Sequence, residues 1–81
     1  MREVEQASVY RHFKGNYYYV MGLAEHTETY ETMVMYHALS LEAENFVRPM
    51  DMFLSEVEEG KENPTGQKYR FELANELIRE D

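Results

Sequence analysis

No cysteine occurs in the 81 residues, so neither a disulfide framework nor a thiolate metal site can staple the fold. Basic residues are scarce: 8 Lys and Arg stand against 16 Asp and Glu, a net charge of −8. Non-specific nucleic-acid binding rests on Lys and Arg neutralising phosphates, so the composition argues against it. No apolar run approaches the roughly 18 residues that cross a bilayer, which argues against a membrane span. The opening stretch, Met1 to Gln6, is acidic and polar and does not read as a signal peptide. A Gly-rich phosphate loop, a Ser-His-Asp arrangement and a nucleophile elbow are all missing, and so is any internal repeat. A cysteine-free chain of this kind fits the cytoplasm.

What remains is a hydrophobic fraction of 43%, rich in aromatics and methionine, which must supply the stability of a single small domain. Charge is uneven along it. The acids concentrate in 1–6, 55–62 and 71–81, whereas Arg11, Lys14 and Arg48 have few acids near them in sequence. A local positive spot on an acidic protein is therefore expected.

"SVYRHF" (8–13) reads as a strand, because Val, Tyr and Phe suit a pleated surface. "KGN" is a turn, and "YYYVMGLA" (17–24) is a second strand. Strict alternation puts Tyr18, Val20, Gly22 and Ala24 on one face and Tyr17, Tyr19, Met21 and Leu23 on the other. "TMVMYHAL" (32–39) is a third strand, pairing with the second as an antiparallel hairpin whose polar tip spans 26–31. Phe46 to Arg48 make a brief strand that Pro49 stops, and Met50 to Phe53 make one helical turn. Residues 54–57 suit strand and helical turn equally well. Residues 59–68 form a flexible loop, and 69–81 begin as a strand and end as a helix, with Leu73, Leu77 and Ile78 on one helical face. Short strands and tight turns together predict a mainly β fold, a small curved antiparallel barrel with 1–7 as its N-terminal tail.

Tyr18, Val20, Val34 and Tyr36 are the expected core. Tyr17, Tyr19, Met21, Met33 and Met35 then form an apolar outer face that needs a cover. The candidates are the segment from Phe71 to Ile78, a second copy of the chain in a homodimer, or an extended peptide.

The stretch from "YRHFKGN" (10–16) through "HTET" (26–29) to "VRPMDMF" (47–53), and more loosely "RFEL" (70–73), resembles a family of small bacterial proteins, domain of unknown function 1653. The resemblance implies a compact SH3-like β-barrel or roll and implies no activity. Two departures bear on a surface: the family usually has "ALY" where this chain has Ala38-Leu39-Ser40, and tryptophan where this chain has Phe46. If that aromatic pair lines a binding surface, the surface here is smaller.

His12, His26 and His37 with Glu28 and Glu31 offer metal-binding atoms, but their spacing matches no zinc motif. Hydrogen bonding within or beside the sheet for His12 and His37, and capping of the tip by His26, is the simpler expectation. Arg48, before Pro49, suits either an anion or an ion pair with Glu28 or Glu31, and the ion pair is favoured; Arg11 is expected to pair with another acid. The sequence therefore predicts a non-catalytic module that binds a small anion, a peptide or a protein, with no cofactor and no metal. Its candidate contacts are Arg11, His12, Lys14, His26, Glu28, Thr29, Tyr36 and Arg48. The alternative is a small hydrolase or metal-assisted enzyme using His26 and Glu28.

Overall fold

Five antiparallel strands arise where aromatic and β-branched residues alternate, and a computed structural model of the chain describes them within residues 2–42 and 44–75. They are β1 (Ser8–His12), β2 (Tyr17–Glu25), β3 (Thr32–Ala38), β4 (Asn45–Pro49) and β5 (Phe71–Leu73). One sheet holds them in the order β4-β3-β2-β1-β5. The first four form a meander, and β5 returns beside β1. Each tight connection follows from its residues. Gly15 takes a φ of 109°, which suits glycine, and lets "KGN" reverse the chain between β1 and β2.

The α-helix among the described residues is α1 (Met50–Phe53), which begins where Pro49 ends β4. After it the chain turns back toward β5. The Arg70 amide donates to the Ser55 carbonyl at 2.8 Å, the Val57 amide donates to Lys68 at 2.9 Å, and Glu56 bridges Tyr69. Residues 55–57 thus return to an extended path, and their bonds to 68–70 tie the continuation of β4 to the approach of β5. The sheet is curled, with α1 under its concave side.

The core fills that concave side. Tyr10, Val20, Val34, Tyr36, Phe53 and Phe71 are buried together, and Phe53 stacks flat on Phe71 with ring centroids 4.1 Å apart. Tyr18, Val20, Val34 and Tyr36 share this side as their alternation requires. The alternation breaks once. Val20 pairs with Tyr36 and Gly22 with Met35, so Met21 is the extra residue of a β-bulge. Beyond it Leu23 stands opposite Val34 and joins the concave side, contrary to strict alternation. Glycine at 22 accommodates the close approach of the N-terminal segment: an added Cβ would lie 3.3 Å from Gln6 Oε1.

That segment is anchored. The Arg2 guanidinium donates to the Leu54 and Phe71 carbonyls, each at 2.7 Å, and lies 3.9 Å over the Tyr69 ring. The loop before β5 is tied to β1 as well. Thr65 donates to the Phe13 carbonyl and the buried Gln67 donates to the Arg11 carbonyl. Phe71, one end of the segment expected to cover the outer face, packs instead in the concave core. The Ala74 amide donates to the Val9 carbonyl, and Asn75 Oδ1 accepts from the Val9 amide. The remainder of the expected C-terminal helix, including Leu77 and Ile78, lies outside the described residues.

Candidate functional site

At one end of the curled sheet the concave side opens into a mouth of about 140 Å³ lined by His12, Tyr18, Tyr36, Phe46, Arg48 and Phe71. Every strand contributes to it: His12 from β1, Tyr18 from β2, Tyr36 from β3, Phe46 and Arg48 from β4, and Phe71 from β5. Register explains the convergence. His12 stands opposite Phe71, and Tyr36 opposite Phe46. Phe46 and Arg48 are two apart on one strand and so share a face. The rings meet edge to face, as their quadrupoles prefer: Tyr18 lies 6.2 Å from Phe46, 5.7 Å from Phe71 and 6.2 Å from His12.

The polar groups of the mouth are nearly all donors. Arg48 Nε donates to the Tyr36 hydroxyl at 3.2 Å, and the guanidinium carbon sits 6.0 Å from the Phe71 ring centre. His12 Nδ1 accepts the Lys14 amide at 3.1 Å, so the neutral ring carries its proton on Nε2. Burial, and then the positive charges of Arg70, Arg48 and Lys14, hold the His12 pKa down at about 4 from the ordinary 6.5. The ring is neutral at pH 7.

The ion pairs expected of Arg48 and Arg11 are absent among the described residues, where the single one joins Arg70 to Glu58 at 3.7 Å. Arg48 fails to meet Glu28 or Glu31 because it stands opposite Val34 and turns its guanidinium toward Tyr36, while those acids belong to the tip beyond β2 and β3. Arg11 lies on the other face of β1, opposite Tyr17 and Glu72, and bonds Gln67 Oε1 at 2.5 Å.

Of the eight expected contacts, His12, Tyr36 and Arg48 come together, and Lys14 sits beside them in the turn after β1. Arg11, His26, Glu28 and Thr29 do not line the mouth. At the tip His26 and Thr29 serve their own turn. His26 Nδ1 accepts the Glu28 and Thr29 amides at 3.1 and 3.2 Å, and Thr29 Oγ1 donates to Glu31 at 3.0 Å. His26 and Glu28 are therefore separated from His12 and Arg48, where a joint acid–base site would need them in one cavity. His37 occupies the outer face with Tyr19, the two rings 5.5 Å apart. Among the described residues no three His, Asp or Glu side chains gather as a metal-ligand set.

Tyr18, Phe46 and Phe71 were not among the expected contacts. For Phe46 the signal is present in the sequence, since it shares a strand face with Arg48. For Phe71 it is not, because only the long-range pairing of β5 with β1 brings it there.

A larger, more open hollow of about 510 Å³ lies near α1, lined by Arg2, Met50, Asp51, Leu54, Ser55, Glu56 and Tyr69. Its cation is already engaged, since Arg2 serves the Leu54 and Phe71 carbonyls. The mouth is different in kind: its guanidinium keeps its terminal nitrogens clear of any acid among the described residues.

These features define a small, mainly β domain with a basic, aromatic-walled mouth. The chain belongs to the family described as "Protein of unknown function (DUF1653)", whose model matches residues 8–73. No curated protein and no solved structure matches it.

Proposed function

We propose that this domain is a binding module whose mouth, between β1 and β4, takes a small anionic group carried by a small molecule, a peptide or a protein. One observation carries the reading: on a chain of net charge −8, the Arg48 guanidinium is held among aromatic rings, braced by Tyr36, with no described carboxylate paired to it. A buried or half-buried cation without a counter-charge is costly, and an incoming anion removes that cost. Lys14 and Arg70 add to the local field. The curl of the sheet and its closure through 55–57 and 68–70 support an SH3-like roll as the scaffold. A bacterial cytoplasm is the setting this reading assigns, supported by the cysteine-free composition.

The test is a thermal-shift screen of the full chain against acetate, propionate, phosphate, sulfate and short peptides. A ligand that binds only the folded state raises Tm by mass action. The expected result is a rise with at least one anion that Arg48→Gln removes while Asp51→Asn keeps it. An anion-induced rise that survives Arg48→Gln would put the site elsewhere.

A further inference from the structure

Resting on that reading of the mouth, we infer that its ligand is a carboxylate, gripped by the terminal nitrogens of Arg48, and not a phosphate. Four observations converge on this chemistry. The first is charge. Arg48 supplies a full positive charge without an acid partner among the described residues, and Lys14 and Arg70, the latter paired with Glu58, add to the field, so the ligand is an anion.

The second is the shape of the donor set. Arg48 Nε is committed to the Tyr36 hydroxyl, so the end of the guanidinium that bears the two terminal nitrogens remains. That end matches the two coplanar oxygens of a carboxylate. The Tyr36 hydroxyl accepts from Arg48 and so keeps its own proton to donate. His12 Nε2 has no partner among the described residues, and no buried side-chain nitrogen or oxygen there is left unsatisfied, so this nitrogen is open to the mouth or to water.

The third is the wall. Tyr18, Phe46 and Phe71 present rings, which take a methylene group readily. A third phosphate oxygen directed at Phe46 and Phe71 would meet apolar carbon and no donor. The fourth is size. A mouth of about 140 Å³ takes a carboxylate with a short carbon stub.

Two sources share that chemistry, a free short-chain acid and the terminal carboxylate of a peptide. The test uses the full chain at pH 7 and follows the NMR signals of the His12 ring and the Arg48 guanidinium. The probes are propionate, N-acetyl-alanyl-glycine, its C-terminal amide, and ethyl phosphate. The two carboxylates are expected to shift both residues saturably, ethyl phosphate to bind about ten-fold more weakly or worse, and the amide to do nothing. Tighter binding of the peptide than of propionate assigns the site to a chain terminus, and the reverse assigns it to a small acid; either supports the inference.

Ethyl phosphate binding as tightly as the carboxylates would overturn the inference while leaving an anion site at the mouth. Failure of all three anions to shift His12 or Arg48 would overturn both. Arg48→Lys keeps the charge and loses the fork, and carboxylate affinity should fall about ten-fold with Tm nearly unchanged. Unchanged affinity in that variant would rule out the two-point grip.

Discussion

Acidifying the solution should unfasten this domain through His12, and the size of the effect follows from the site. The ring titrates at about 4 in the folded chain against an ordinary 6.5, chiefly because burial strips water from it and secondarily because Arg70, Arg48 and Lys14 surround it with positive charge. The unfolded chain therefore binds that proton more readily. Between pH 6.5 and 4 it holds more protons than the folded chain, so stability falls as pH falls through the window and levels off below it. Taken at face value the shift is equivalent to roughly 3.4 kcal/mol, at about 1.36 kcal/mol per pH unit. The ring is only partly buried, and solvent screening reduces the expected size to ~1–2 kcal/mol. Urea unfolding at about pH 7 and about pH 4.5 measures it, with His12→Gln as the reference. The carboxylates titrate in both proteins, so their contributions cancel in the difference. The native chain should lose ~1–2 kcal/mol more than the variant on acidification. Equal losses would refute the reasoning, because the ring would then not be held neutral by the fold.

Other substitutions test other parts of the account. Phe53→Ala removes one ring of the stacked pair with Phe71 and should cost about 3–5 kcal/mol, enough to unfold much of so small a domain, as read by circular dichroism. Arg2→Ala loses two charge-assisted bonds to the Leu54 and Phe71 carbonyls and should cost about 1–3 kcal/mol, with faster amide exchange at Ser55 and Arg70. Gly15→Ala meets no atom within 4 Å but must hold a φ of 109°, so the cost of about 1–3 kcal/mol is purely conformational. Tyr36→Phe removes the acceptor that braces Arg48; it should cost about 1 kcal/mol in denaturant unfolding and weaken anion binding while the core ring stays packed.

The hairpin of β2 and β3 was legible because its pattern is local. Tyr18, Val20, Val34 and Tyr36 alternate with residues of the other face, and period-two alternation is what a half-buried strand imposes. Pro49 likewise announces the end of β4 and the start of α1. The bulge at Met21 escaped the pattern. One extra residue leaves the composition unchanged and reverses the facing of everything after it, which is why Leu23 sits on the concave side. Phe71 escaped for a different reason: its pairing partner His12 is far away in sequence, and nothing local specifies it. The tip drew attention because it is dense in hydrogen-bonding side chains. Those side chains satisfy the backbone of their own turn. Arg48 and His12 carried the better signal, a cation and a donor on strands with few acids nearby, although the expected ion pair obscured it.

The central claim is that the five strands converge on one anion-receptive mouth and that the hairpin tip serves the turn alone. Amide and side-chain chemical shifts of the uniformly labelled chain, recorded while propionate is added, address it directly. The account predicts one connected set of moving signals from His12, Tyr18, Tyr36, Phe46, Arg48 and Phe71, with His26, Glu28 and Thr29 still. Movement centred on 26–31 with the mouth unaffected would contradict it.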